Sequence, residues 1–156
     1  MGIATALSRI ADVPQAARRA VDLAPTAHWH DRPAPQLWSI TEYVCHLRDV
    51  FVVYTVRLHR TRTEDRPDLE PMFNDLRARW FRYNKRYLPG VLDELDDSVD
   101  GFSDEVSTFR DDDWSRIAVR RNDERSAGWM LRNVMHEGVH HVRDITEAAA
   151  GFRDGW

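Results

Sequence analysis

Apolar residues recur every three or four positions along most of this chain, the period that lines one face of an α-helix. Ile3, Leu7, Ile10, Val13, Ala17 and Val21 define a first helical stretch over residues 3–23, with Pro14 placing a break or a fresh start inside it. Leu37, Ile40, Val44, Leu47, Phe51, Tyr54 and Leu58 define a second over residues 36–60, where Glu42 stands three positions after Ser39, as in a capping box. A shorter helix is expected over residues 72–87, with Phe73, Leu76, Trp80 and Tyr83 on one side. Leu88, Leu92, Leu95, Val99, Phe102, Val106 and Phe109 then repeat at four and three without a miss. Pro89 falls in a first turn that tolerates it, and acidic residues from Asp93 to Glu105 occupy the opposite face. The last helix, Ala127 to about Ala150, has Ser126 as its N-cap and Gly151 as its stop. Its core stripe is Leu131, Val134, Gly138, Val142, Ile145 and Ala149.

The connections are polar. His28 to Pro35 is rich in proline and carries two histidines and a tryptophan, as a packed connection or as a lip over a pocket. Arg60 to Pro71 reads as a loop, and so does Asp111 to Glu124, with Ile117-Ala118-Val119 briefly extended. Four long helices with modest loops and no convincing strand predict an all-α protein, an antiparallel four-helix bundle, as a single domain over residues 1–156.

Composition narrows the class further. A chain of 156 residues with 42% apolar content can bury a real core. The net charge of −4 gives no reason to expect a nucleic-acid or membrane partner, and no apolar run approaches the roughly 20 residues that span a bilayer. Residues 1–10 lack the apolar core of a signal peptide, and the one cysteine, Cys45, excludes an internal disulfide, so a cytoplasmic location is expected. Basic residues are almost all arginine, with Lys85 the only lysine, a composition typical of GC-rich bacterial genomes. From Arg57 to Arg86 nine basic residues face five acidic ones. That excess makes a solvated face, attracts an anionic small molecule or lines a dimer contact; no nucleic-acid recognition motif accompanies it.

The candidate chemistry lies in the last helix. His136 and His140 are four apart, so their side chains share a face one turn apart and can grip one metal ion. His46, at the border of the second helix's stripe beside Tyr43 and Val50, is the expected third ligand. Three imidazoles leave positions open on a divalent ion, the catalytic rather than the structural pattern, and suit zinc, nickel, cobalt or iron(II). Glu137 and Asp144 would accept the second ring N–H of a ligand histidine and fix its tautomer. His141, about 100° round from His140, is expected to pack or hydrogen-bond outside the site, and Cys45 to be a buried small residue. His136-Glu137-Gly138-Val139-His140 also spells the H-E-x-x-H of zinc proteases. Only sixteen residues follow His140 and none gives a further ligand at the required offset, so that reading is set aside.

Two segments, Leu37-Trp38-Ser39-Ile40-Thr41-Glu42-Tyr43-Val44-Cys45-His46-Leu47-Arg48-Asp49 and His136-Glu137-Gly138-Val139-His140-His141-Val142-Arg143-Asp144-Ile145, resemble the DinB-like superfamily. That superfamily also holds thiol-dependent maleylpyruvate isomerase and mycothiol or bacillithiol S-transferase relatives. The resemblance runs in helix order from about residue 10 to 150. It implies a four-helix bundle with a three-histidine metal site, its ligands by motif position His46, His136 and His140. It also implies frequent dimerisation and activation of a low-molecular-weight thiol, here mycothiol by the arginine-rich composition. The expected activity is a metal-dependent S-transferase joining that thiol to an electrophilic small molecule. Arg48, Arg132 or Arg143 would pair with anionic groups of the cofactor. The alternatives are a metal-dependent hydrolase and a non-catalytic metal-binding stress protein.

Overall fold

The computed structural model describes residues 2–152. They form α1 (Ile3–Ala11), α2 (Val13–Val21), α3 (Ile40–Thr63), α4 (Asn74–Trp80), α5 (Leu88–Ser107), β1 (Ile117–Arg120), β2 (Asp123–Ser126) and α6 (Ala127–Ala150). Local sequence explains most of the boundaries. Pro14 cannot donate to the Ile10 carbonyl, and the first arm breaks at Asp12 into α1 and α2. The capping box at Ser39 forms: its Oγ accepts the Glu42 amide at 3.1 Å, and Glu42 Oε1 accepts the Ser39 amide at 3.2 Å. Ser126 caps α6 by accepting the Trp129 amide at 3.1 Å.

The α1–α2 arm, α3, α5 and α6 make the four-helix bundle. α3 packs chiefly on α5 and α6, and the α1–α2 arm closes the other side against the same two helices. Phe51, Leu47, Phe102, Leu95, Leu131 and Ile145 are fully sealed, with Phe51 and Phe102 edge to face at 5.6 Å. Side-chain pairs reveal the helix directions. Along α3 and α5, Arg48 meets Glu94 and Arg62 meets Glu105, so these two helices run in the same direction. Along α3 and α6, His46 meets His141 and Tyr54 meets Asn133, so that pair is antiparallel. Residues 64–87, with α4 among them, carry the chain back between the two parallel helices. Buried Asp49 ties this crossover down by accepting from Arg48 Nε at 3.0 Å, Arg77 Nε at 3.2 Å and the Tyr83 hydroxyl. Burial, together with that bond, raises the Tyr83 phenol well above its ordinary pKa.

Where a loop was expected, β1 and β2 form an antiparallel hairpin with Ile117 opposite Ser126 and Arg120 opposite Asp123. Its two connecting residues, Arg121 and Asn122, have φ of 51° and 66°. Left-handed backbone at both positions matches the twist of the flanking strands. Such turns usually announce themselves by Asn-Gly or Asp-Gly, and Arg-Asn carries no such signal. The ribbon is short and docks on the crossover: Leu69 donates its amide to the Val119 carbonyl at 2.7 Å, and Val119 donates to Pro67 at 2.9 Å. The His28–Pro35 segment is a packed connection, with His28 on Asp31 at 2.8 Å and His30 on the Asn84 carbonyl at 3.0 Å. Among the described residues no helix is long and apolar enough to cross a membrane. Cys45 is buried, and burial pushes its thiol up to about 12, which makes it inert as a nucleophile.

Gly138 lies at a close approach of α6 to the first arm. A Cβ there would lie 2.9 Å from Val13 Cγ2, and a β-branched side chain has little rotamer freedom to yield. Gly138→Ala gains about 1 kcal/mol of helix propensity but overpacks the core by about 1–3 kcal/mol. Denaturant unfolding should show a net loss of about 1 kcal/mol, and a stabilised variant would show that this contact is not tight.

Candidate metal centre

α3 presents His46 to the interior, at 2% exposure, and α6 presents Glu137 and His141 on the flank that meets it. His46 Nε2 lies 3.1 Å from His141 Nε2, and His141 Nε2 lies 3.1 Å from Glu137 Oε2. The three donor atoms all fall within 4.8 Å of one another. On its far side His141 Nδ1 is 2.9 Å from Asp144 Oδ2. A carboxylate can only accept, so this bond places a proton on Nδ1 and leaves Nε2 of neutral His141 with its lone pair toward the cluster.

Without an ion, the two carboxylates favour doubly protonated His141, which donates from Nδ1 to Asp144 and from Nε2 to Glu137. Burial, with the His141 charge beside it, pushes His46 down to about 4, so His46 is neutral near pH 7. Burial also disfavours charge on His141, but Glu137 and Asp144 outweigh it and raise its pKa above the ordinary imidazole value. The hydrogen bond from His141 in turn holds Glu137 below the usual carboxylate range, despite burial. Once His141 Nε2 gives up its proton, the cluster offers two imidazole lone pairs and one carboxylate oxygen around a point that attracts positive charge. A proton can bridge only one of these pairs at a time, and Nδ1 of His46 is buried without a hydrogen-bond partner among the described residues.

A divalent ion fits the donor set. Bonds of about 2.0–2.1 Å place neighbouring donors roughly 2.8–3.4 Å apart, from right-angled to tetrahedral geometry. Both 3.1 Å separations fall in that range. His46, Glu137 and His141 would hold the ion, Asp144 would orient His141, and the remaining positions would face a cleft of about 490 Å³. Tyr54, Arg57, Met72, Asn74, Arg120 and Asn133 are among the residues lining that cleft with His46 and Glu137.

His46 therefore lies in the cluster as expected, but the structure does not bring His136 and His140 to it. Their rings stack on each other at 6.1 Å on the outer face of α6, and the His140 side chain is 54% exposed. The physical reason is rotation: each stands two residues from core-facing Gly138, about 200° round the helix. Glu137 and His141 stand about 100° and 60° from Gly138, on one flank, and this would have identified them from sequence. His140 does share a second cluster with His141 and Asp144, half-exposed on the outer side. Asp144 bonds His141 instead of an expected ligand, and Glu137 lies among the three clustered donors. Of the arginines expected to bind a cofactor, Arg48 pairs with Asp49 and Glu94, Arg143 pairs with Glu147, and Arg132 is exposed. None of the three lines the cleft; Arg57, Arg120 and Arg121 do.

A helical bundle with two histidines and a carboxylate converging beside a cleft defines a candidate metalloprotein. The family model of the DinB superfamily matches residues 9–145, and the chain belongs to that superfamily. Among solved structures it is similar to YfiT from Bacillus subtilis, described as a probable metal-dependent hydrolase with an unusual four-helix bundle topology. The TM-score is 0.88 at 18% identity, covering 99% of this chain and 88% of that one. No curated protein matches the chain.

Alanine variants separate the two donor sets. His141→Ala should lose nearly all zinc after loading and desalting, measured by elemental analysis, and His136→Ala should load as fully as the parent protein. The opposite pattern would return the site to the outer face of α6.

Proposed function

We propose that the chain is a divalent-metal-dependent hydrolase of a small molecule, with His46, Glu137 and His141 as protein ligands. The observation that carries this reading is the donor set itself, two imidazoles and one carboxylate opening onto a polar cleft. Catalytic zinc sites of hydrolases use that combination with one position left for water or substrate, and iron(II) and nickel accept it too. The description of YfiT supports the same reading. A divalent ion supplies Lewis acidity at its open positions, polarising a carbonyl or phosphoryl oxygen and acidifying water.

The chain's own residues do the rest. Asp144 keeps the His141 proton on Nδ1 and so keeps Nε2 a donor. Burial keeps His46 unprotonated. Asn133 Nδ2 donates to the Tyr54 hydroxyl at 2.9 Å, which leaves the Tyr54 proton and the Asn133 carbonyl oxygen for a bound substrate.

A second reading is the S-transferase, in which the open position takes the sulfur of a thiol such as mycothiol and the acceptor is an electrophile. The state of Cys45 bears on it. The chain's one cysteine is sealed in the core, so a sulfur nucleophile would enter as a co-substrate through the cleft.

Turnover of ester and amide panels by zinc-, nickel- or iron-loaded protein separates the readings. The hydrolase reading expects EDTA-sensitive hydrolysis without any added thiol, lost in His46→Ala and His141→Ala. Turnover that appears only with thiol and electrophile together would overturn it in favour of the transferase. Metal binding without either activity would leave a non-catalytic metal protein.

A further inference from the structure

Arg57 is 5% exposed, yet no carboxylate among the described residues pairs with it. The other well-covered arginines of this region are matched: Arg48 and Arg77 both reach Asp49. Arg57 instead has neutral partners: Nη2 donates to the Glu70 carbonyl at 2.6 Å, and the guanidinium lies 4.8 Å over the ring of Tyr54, whose side chain also favours its charge. A guanidinium keeps its charge in proteins, and a buried charge without a counter-ion is costly. Burial works against that charge here, and the neighbouring Arg120 adds repulsion that Tyr54 offsets in part.

Two more unpaired cations converge on the same space. Arg120, in β1, and Arg121, in the hairpin turn, form no ion pair among the described residues, and both line the cleft that reaches His46 and Glu137. Arg121 is held at φ 51°, a conformation that disfavours any residue with a Cβ. The acidic residues of the cleft do not neutralise these three arginines: Glu137 is bound to His141, and Asp75 is exposed. A neighbouring cavity of about 190 Å³ shares Tyr54, Trp129 and the three arginines with the cleft; its walls add Leu69, Ala118, Met130 and Asp123, which pairs with Arg125.

We propose that Arg57, Arg120 and Arg121 form an oxyanion subsite for the substrate of the metal cluster, a small molecule with a carboxylate or phosphate at the end remote from the reacting bond. The assignment of that reacting end rests on the proposed hydrolase; the anion subsite stands on the arginines alone. Arg57 follows His46 by eleven residues, roughly 16 Å along the axis of α3. Both side chains lean toward the helix N-terminus, and the longer arginine reaches further back, which leaves on the order of 10 Å between the two ends. Acetate-sized molecules are too short to bridge them.

The test is anion binding by full-length protein without added metal, followed by ¹H–¹⁵N NMR at constant ionic strength. Inorganic phosphate and phenylacetate serve as separate probes. Saturable shifts are expected at the Arg57 Nε–H and the Arg120 and Arg121 amides for at least one probe, and the tighter probe identifies the oxyanion class. Arg57→Gln should weaken binding by about tenfold or more, as expected for losing hydrogen bonds to a charged group. Arg121→Asn keeps a residue that tolerates the turn and should weaken binding by roughly two- to fivefold, so the proposal is testable even if Arg57→Gln fails to fold. Absence of localised saturable shifts with both probes, or unchanged affinity in the folded variants, would overturn it. Anion binding without hydrolysis would sink the hydrolase reading alone; hydrolysis without anion binding would sink this one alone.

Discussion

Nε2 of His46, Nε2 of His141 and Oε2 of Glu137 gather around one point, within 4.8 Å of one another, and the single proton that His141 Nε2 can carry does not serve both of its neighbours fully. Burial keeps the first neutral, Asp144 fixes the proton of the second on its far nitrogen, and the third can only accept. The point needs positive charge. A proton serves one pair and leaves the other donor idle, whereas a divalent ion would engage all three, with two of the three separations already at the spacing it needs. Asp144 selects which nitrogen of neutral His141 keeps its proton, and the cleft next to the cluster would give solvent and substrate access to a bound ion.

The rest of the fold holds that point still. The capping box at Ser39 sets the start of α3 and therefore the phase at which His46 faces inward. Gly138 lets α6 press against the first arm while its flank turns toward α3. The long crossover makes α3 and α5 parallel, is anchored through buried Asp49, and forms one wall of the cleft with Met72 and Asn74. The hairpin forms another. Features that cost stability gather along this one cleft: the unpaired Nδ1 of His46, the unmatched charge of Arg57 and the left-handed backbone of Arg121. Such local costs cluster where a protein binds something.

Much of this was legible in the sequence. Three- and four-residue spacing marked the bundle helices, and Ser39, Ser126 and Pro14 marked starts and a break close to where they occur. The parallel pairing of α3 and α5 was not legible, because it depends on how residues 64–87 run across the bundle rather than on any local pattern. Nor was the hairpin, whose turn lacks glycine. The histidine pair at 136 and 140 matched the familiar ligand spacing, but the same spacing one residue on, Glu137 and His141, faces the core. The apolar stripe through Gly138 contained that information, since a helix cannot turn residues 136 and 138 to the same side. Arg57 stood out only as part of a basic stretch; its lack of a partner is a fact of tertiary structure.

The most direct measurement is NMR of protein labelled with ¹⁵N in its histidine rings, recorded as zinc is added to one equivalent. The account predicts that Nε2 of His46 and of His141 move to metal-bound shifts, with the His141 Nδ1 proton retained. The rings of His136 and His140 would keep their free resonances. Zinc-bound shifts on His136 and His140 with His141 unmoved would contradict it.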